Sequence, residues 1–284
     1  MQDRSRVSVL MVPPVIFLGG LFLLPLGIMA LYAFREGSFG EASQTYTLAH
    51  FQTFFENTAY LRLLWRSVVL SFWVSVLTVL LAYPLAYHLI FNTQDKRMLL
   101  LTIIIAPAWV SYLLRVLAWK VLLGPTGVLA SIFDWLGLPT EGTSFLLYSS
   151  TAVIITLVYV WVPFVALPIF VALERIDLSL LEAATDLGCT RWGAFLRVTL
   201  PLSLPGVLTG FLFVFIPTVG EYVTPALVGG PEGIMFGNLI QDQFLRGLNW
   251  PMGALMSLVM LVVVLLPLAV FGRFIRLSEL AEAM

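Results

Sequence analysis

The chain has 284 residues, of which 60% are hydrophobic and only 11% charged, with a formal net charge of −1 and a mean hydropathy of +0.98. A soluble domain carries about 25% charged residues, so the composition excludes an ordinary soluble protein and indicates one embedded in a membrane. The near-neutral charge balance provides no basic patch, and we do not expect nucleic acid among its partners.

Six apolar stretches follow one another along the chain, and each is long enough to cross a membrane as a helix. About 20 apolar residues span the ~30 Å hydrocarbon core, and a helix satisfies its own backbone hydrogen bonds there. The predicted spans are 7–34, 63–91, 98–119, 150–173, 206–228 and 251–274. The sequence therefore predicts an all-α integral membrane protein with six transmembrane helices in a single domain over residues 1–284.

The distribution of lysine and arginine predicts the orientation, because cytoplasmic loops are enriched in both. With the N-terminus inside, nine of these residues fall on the cytoplasmic side and six on the outer side. The bias is clearest in the short turn 92–97, which contains Lys96 and Arg97. We therefore predict that both termini and the polar loop 174–205 face the cytoplasm.

Glu221 is the clearest candidate for the transport pathway, because an unpaired charge in lipid is costly and marks a functional site by default. It lies about fifteen residues into the fifth predicted span, or ~22 Å along a helix. Pro217, Gly220 and Pro225 interrupt that span, and broken helices near the membrane centre often mark transport sites. With Tyr222, Glu221 could hold an ammonium group by ion pairing and cation–π contact. A buried salt bridge with Arg115 or a gating role are the alternatives.

Arg115 is the second charged candidate in the predicted spans. It either pairs with an acid across a subunit interface and lines the passage, or snorkels to the outer interface beside Trp119 and Lys120. Trp109 and Tyr112 are aromatic candidates for the same pathway, with packing or a place in the lipid belt as the commoner role. The sequence shows no metal-ligand cluster, Walker-type loop or nucleophile–base pair. We expect no metal, no cofactor and no catalysis from this chain.

A polar, helix-forming segment at 182–201, EAATDLGCTRWGAFLRVTLP, is the most specific pattern. Asp177 is predicted to cap a short helix, and Gly188 stands where a helix ends in the left-handed conformation. A second helix, at about 192–199, is predicted to end before Pro201. The spacing is EAA, three residues, Gly, nine residues, an aliphatic, one residue and Leu-Pro. Its fixed positions are Glu182, Ala183, Ala184, Gly188, Val198, Leu200 and Pro201.

This segment is similar to the cytoplasmic coupling loop of the permease subunits of bacterial ABC importers, and Val198 in place of the commoner Ile is its only departure. Segments 107–138 and 216–244 and the Asn-Trp-Pro at 249–251 look like the polyamine branch of these permeases. The resemblance implies a type I ABC importer permease fold with cytoplasmic coupling helices. An amphipathic helix at the lipid interface is the alternative interpretation of the loop. The residues implied in coupling to the ATPase are Glu182, Ala183, Ala184, Asp186, Gly188, Leu200 and Pro201.

The resemblance also implies partners and a mechanism. A dimer of ATP-binding subunits would carry ATP and magnesium, a second homologous permease subunit would complete the passage, and a periplasmic binding protein would dock on the outer segments 35–62, 120–149 and 229–250. The complex would work by alternating access in the bacterial inner membrane. Putrescine or spermidine is the implied solute, with an opine, an amino-acid-like compound or another small solute as the alternative. A secondary transporter is a remote alternative, because it would leave the coupling loop unexplained.

Overall fold

The computed structural model describes the backbone of residues 2–38, 45–93, 96–137 and 146–282, and the side chains of these ranges between residues 11 and 270. Over these ranges the chain is helical, and its β-type pairing is an isolated bridge between Arg35 and Tyr46. The all-α prediction is confirmed. The helices are α1 Gln2–Ala33, α2 Ala49–Glu56, α3 Thr58–Asn92, α4 Arg97–Ile105, α5 Tyr112–Leu122, α6 Val128–Trp135, α7 Ser150–Glu174, α8 Leu178–Asp186, α9 Arg191–Ala194, α10 Leu200–Val219, α11 Gly230–Gly233, α12 Phe236–Leu245 and α13 Trp250–Glu282.

Five helical stretches in the described ranges are long and apolar enough to cross a membrane, and a sixth is broken. The five are Met11–Ala33, Thr58–Asn92, Ser150–Glu174, Arg191–Val219 and Trp250–Val270. The sixth joins Arg97–Trp109 to Tyr112–Leu122 with a bend of 89° between them. The structure therefore has the six predicted apolar spans if the broken pair is counted as one. The predicted bounds differ most from the observed ones at the third and fifth spans.

The third predicted span, 98–119, is not one continuous helix. After α4, residues Ala106–Trp109 form a 3₁₀ turn that has Pro107 near its start. Val110 and Ser111 then adopt extended backbone angles, with ψ of 142° and 134°. These two residues end the helical hydrogen bonding, so that α5 starts in a new direction.

The fifth predicted span, 206–228, ends nine residues early in the structure, because α10 stops at Val219. Gly220 to Tyr222 are not helical. A π-helical turn at Pro225–Gly229 and the short α11 follow them. The break at Gly220 agrees with the predicted interruption, whereas Pro217, which is also expected to interrupt the helix, lies inside α10.

Two compact units make up the fold: Met1–Leu61 with Leu239–Val263, and Arg62–Asn238 with Val264–Met284. The prediction of a single domain over residues 1–284 stays a prediction. In the first unit, Phe54 of α2 is fully buried and stacks on Tyr60 at 5.9 Å between ring centroids. Parts of the predicted outer segments, residues 39–44 and 138–145, lie outside the described residues.

The second unit is built around the pair α7 and α10, which approach each other through two glycines. A Cβ atom on Gly206 would lie 2.4 Å from Cβ of Ala172 and 2.7 Å from the carbonyl oxygen of Pro168. One on Gly210 would lie 2.9 Å from Cγ1 of Val165. The two glycines are four residues apart, the small-xxx-small spacing that allows membrane helices to approach closely. The pair forms the fixed frame of this unit.

Candidate functional site

The predicted coupling segment begins with a capped helix, α8. The Asp177 carboxylate accepts a hydrogen bond from the Ser179 backbone N–H at 3.0 Å, and this bond lowers the pKa of Asp177 below its ordinary value. Gly188 follows the helix with φ of +81°. Its N–H donates to the Thr185 carbonyl at 2.9 Å, and the Cys189 N–H donates to the Ala184 carbonyl at 3.0 Å. These two bonds form a Schellman motif, so both capping predictions are confirmed.

The second helix of the segment differs from its prediction. Thr190 caps α9 by accepting a hydrogen bond from the Gly193 N–H at 3.1 Å. Residues Phe195–Thr199 then form a π-helical turn that runs directly into α10, so the prediction that the helix ends before Pro201 is wrong. Proline cannot donate to the preceding turn and collides with it in a regular α-helix. A π turn changes the hydrogen-bond register just before Pro201, and the helix continues through that residue.

Most residues implied in coupling lie on the outside of the segment. Glu182, Ala183 and Asp186 are exposed, whereas Ala184 is only 8% exposed and packs inward. Two large apolar side chains nearby are also exposed, namely Leu187 at 86% and Trp192 at 67%. Acidic and apolar groups that are exposed together on this segment are suited to contact with another protein surface.

Aromatic and ionic contacts connect this segment to the membrane helices of the same unit. Trp192 stacks on Phe195 with ring centroids 5.1 Å apart, and Phe195 makes edge contacts with Tyr83 and Tyr87 of α3 at 5.8 Å each. The Tyr83 hydroxyl also hydrogen bonds to the Ser203 hydroxyl of α10 at 2.9 Å. The end of α7 is held by the ion pair of Glu174 with Arg97.

The candidate site for transport is the break after α10, which follows the apolar stretch Arg191–Val219 and where Glu221 acts as a helix cap. One carboxylate oxygen, Oε1, accepts hydrogen bonds from the backbone N–H groups of Val223 at 2.8 Å and Thr224 at 3.1 Å. The buried Thr224 hydroxyl is bound in turn to the Tyr112 hydroxyl at 2.5 Å. The carboxylate lies close enough to Tyr112 to interact with it electrostatically. The structure thus brings together Glu221 and Tyr112, which the sequence had named separately.

Arg115 belongs to the same neighbourhood but lies inside the unit. Its side chain is only 7% exposed, and Nη1 donates to the Val160 carbonyl at 3.2 Å. This burial disagrees with the alternative in which Arg115 snorkels to the outer interface. Among the described residues, ion pairs within 4.0 Å do not join Arg115 to Glu221, so the predicted alternative of a salt bridge between them is not observed.

The two remaining pathway candidates are differently placed. Trp109 is 79% exposed and lies in the 3₁₀ turn before the bend. Tyr222 is 43% exposed, beside Glu221 at the break. In the part of the chain that the structure describes, His, Cys, Asp and Glu form no group of three that could hold a metal ion.

The sequence interpretation missed two residues that contact this break, Gly237 and Asn238 at the start of α12. The Asn238 amide donates to the Tyr222 carbonyl at 2.7 Å. Gly237 lies so close that a Cβ atom there would be 2.5 Å from the Gly220 carbonyl oxygen and 2.7 Å from that of Glu221. No local pattern reveals a contact between segments this far apart. An Asn directly after a Gly beside an apolar run is the only available hint.

Relatives of known type match most of the chain. Residues 97–279 match the family described as the binding-protein-dependent transport system inner membrane component. The spermidine/putrescine transport system permease protein PotB of Haemophilus influenzae is 36% identical over 217 residues, 76% of this chain and 76% of that protein. The PotB protein of Escherichia coli is 35% identical over 218 residues, 77% and 79% of the two chains. The inner membrane ABC transporter permease protein YdcU of Escherichia coli is 32% identical over 278 residues, 93% and 88% of the chains.

Solved structures agree on the fold. A chain of a bacterial ABC transporter involved in the import of the acidic polysaccharide alginate gives a TM-score of 0.69 at 20% identity, covering 95% of this chain and 96% of that one. A chain of the inward-facing methionine ABC transporter MetNI gives a TM-score of 0.57 at 18% identity, covering 76% and 94%. The chain has the type I ABC importer permease fold and belongs to the family of inner membrane components of binding-protein-dependent transport systems, as a transmembrane subunit of an ABC importer.

Proposed function

We propose that this chain forms part of the passage through which an ATP-driven importer moves a polyamine, putrescine or spermidine, into the cell. The observation that carries the proposal is the 35–36% identity to two permeases of spermidine/putrescine transport systems over three quarters of the chain. A match over three quarters of the 284 residues necessarily includes the coupling segment 182–201.

The chemistry of the break supports a cationic solute. Two backbone N–H groups hold the Glu221 carboxylate in place, which fixes a negative charge where α10 ends. Among the described residues, that carboxylate has no ion-pair partner within 4.0 Å. The half-exposed ring of Tyr222 is its neighbour. An ammonium group would donate a charge-assisted hydrogen bond to the carboxylate and make a cation–π contact with the ring.

The proposed complex contains several chains. This subunit would pair with a second, homologous permease, and an ATP-binding dimer that carries ATP and magnesium would dock on the exposed face of α8. A periplasmic binding protein would deliver the solute on the opposite side, and both termini of this chain would lie in the cytoplasm. The chain itself would contribute binding and movement, and hydrolysis would take place on its partners. The solved ABC transporters of the same fold include one in complex with a periplasmic protein, which supports this arrangement.

The second candidate is the same kind of importer with another small solute, such as an opine or an amino-acid-like compound. One observation favours it: YdcU, described only as an ABC transporter permease, aligns with 93% of this chain, against 76–77% for the polyamine permeases. Overall extent of similarity therefore does not single out the polyamine systems, and the solute must be decided by measurement.

The test is ATPase activity of the reconstituted complex with its binding protein, measured with putrescine, spermidine and unrelated solutes. Stimulation by one polyamine supports the proposal, whereas ATPase activity without polyamine selectivity favours the second candidate. The variant that tests the site is Glu221→Gln. Glutamine can still accept both backbone hydrogen bonds at 221, so Glu221→Gln removes the charge alone, and polyamine stimulation should fall.

A further inference from the structure

The start of α12 contacts the break after α10 through two adjacent residues, Gly237 and Asn238. Asn238 is the third residue of α12, and its Oδ1 atom accepts a hydrogen bond from the Met235 N–H at 3.0 Å. This is the reciprocal half of a capping box, in which the third residue of a helix reaches back to the residue before it. The amide Nδ2 atom remains, and it donates to the Tyr222 carbonyl at 2.7 Å. A single side chain therefore caps α12 and holds the break.

Gly237 fixes the distance between the same two segments. Its missing side chain lets the backbone of α12 approach the carbonyl groups of Gly220 and Glu221, where a Cβ atom would come within 2.5 and 2.7 Å. These are backbone oxygens, which cannot move aside as the end of a flexible side chain can. Only glycine permits this approach, and the approach brings Asn238 within hydrogen-bond distance of Tyr222.

The start of α12 is itself held by α3. The Phe236 N–H donates to the Ser67 hydroxyl at 2.7 Å, and that hydroxyl donates to the Leu63 carbonyl at 3.0 Å. Ser67 is fully buried and Asn238 is 9% exposed. In this low-dielectric surrounding each unmade hydrogen bond would be costly. The contact is therefore a fixed support and not a surface encounter.

We propose that Gly237 and Asn238 are positioning residues for translocation, which hold the Gly220–Tyr222 break so that the Glu221 carboxylate and the Tyr222 ring face the solute in a fixed geometry. Neither residue touches the solute in this account; both act through the backbone of residues 220–222. The part of the inference that concerns transport rests on the polyamine function proposed above. The support of the break itself does not depend on the identity of the solute.

The first experiment tests whether Gly237 and Asn238 hold the break in place, and it needs no solute. The chain has a single cysteine, Cys189, so a Cys189→Ser, Thr224→Cys protein carries one thiol at a fully buried position. In the assembled complex, Asn238→Ala or Gly237→Ala should accelerate maleimide labelling of that thiol by about tenfold, the size expected when one buried hydrogen bond is lost. Asn92→Ala and Gly19→Ala are the matched controls and should leave labelling unchanged. Asn92 is exposed at the end of α3 and hydrogen bonds to the His88 ring at 3.0 Å, and a Cβ atom on Gly19 would meet nothing within 4 Å.

The second experiment measures spermidine imported per ATP hydrolysed in proteoliposomes, with Cys189 and Thr224 intact. A merely destabilised complex loses both activities in proportion, so the ratio would not move. We expect Asn238→Ala and Gly237→Ala to lower the ratio by about tenfold and the two controls to keep it. Unchanged labelling in both variants overturns the positioning role. If the wild-type complex imports spermidine, an unchanged ratio of spermidine to ATP in both variants overturns it as well. A wild type that imports no polyamine overturns the proposed solute instead, and the labelling result then still decides the support of the break.

Discussion

Gly188 allows a quantitative test of the coupling segment, because its strain comes from the backbone alone. Its φ is +81°, and a Cβ atom built there would meet nothing within 4 Å. Alanine would therefore fit the space and still oppose the left-handed conformation, at a cost of about 1–2 kcal/mol. Asparagine is the matched variant, because its short polar side chain makes this conformation far more accessible.

The strain of alanine at position 188 would weaken two identified hydrogen bonds. If the left-handed residue is lost, the bonds from Gly188 N–H to Thr185 and from Cys189 N–H to Ala184 open together, since both need the reversal of the chain at residue 188. A change of 1–2 kcal/mol shifts such an equilibrium by about 5- to 30-fold. The end of α8 would then open in a correspondingly larger fraction of molecules.

Amide hydrogen exchange in the assembled complex reads this opening directly. In Gly188→Ala, exchange at residues 185–189 should accelerate by about 5- to 30-fold, with weaker binding of the ATP-binding subunit. Gly188→Asn should remain close to the unchanged protein in both measurements. Equal protection of the Cys189 amide in the alanine variant and the unchanged protein would refute the argument from backbone strain. Equal losses in the alanine and asparagine variants would refute it as well, because side-chain size would then be responsible.

Three further predictions concern the coupling segment and the frame behind it. Glu182→Lys reverses an exposed charge on α8 and should abolish transport. Membrane insertion, measured by the amount of chain in the membrane fraction, should stay normal. Normal uptake by this variant would contradict docking of the ATP-binding subunit at this face. Gly206→Ala should destabilise the purified complex by about 1–3 kcal/mol through overpacking and so lower its melting temperature. Gly19→Ala is the control, because a Cβ atom there has open space, and it should leave the melting temperature unchanged. Equal melting curves for the two variants would refute close packing of α7 on α10. Because its hydrogen bond lowers the pKa of Asp177 below 3.8, the cap should be complete at neutral pH and be lost only as the pH falls through that lowered value. Protection of the Ser179 amide against pH checks this, and Asp177→Asn, which keeps an acceptor without a charge, should remove the dependence.

Local chemistry explains which parts of the structure the sequence could predict. The N-cap at Asp177 and the left-handed Gly188 depend only on residues within one turn of the helix, and both are observed. The spans follow from apolar length, which lipid imposes on each helix separately. These features need no knowledge of what packs against the segment.

The missed features depend on context beyond one helix. Pro201 suggested a helix end, but a π turn immediately before it lets the helix continue, and a hydrophobicity pattern contains no sign of that turn. The contact of Asn238 with Tyr222 joins residues sixteen apart in sequence across a close approach of two backbones. The exact end of α10 at Val219 depends on the same contact and on the Glu221 cap. Whether Glu221 meets a solute and Glu182 meets an ATPase stay predictions.

The glycine pair in α10 has a mechanical consequence. The segment between Glu174 and Arg191 connects the end of α7 to the helix that continues into α10, and Gly206 and Gly210 leave those two helices no clearance to slide past each other. If a partner displaces α8, we expect α7 and α10 to move together, because they are in close contact at Gly206 and Gly210. The loop would then act as the short arm of a lever whose long arm reaches the break at Gly220.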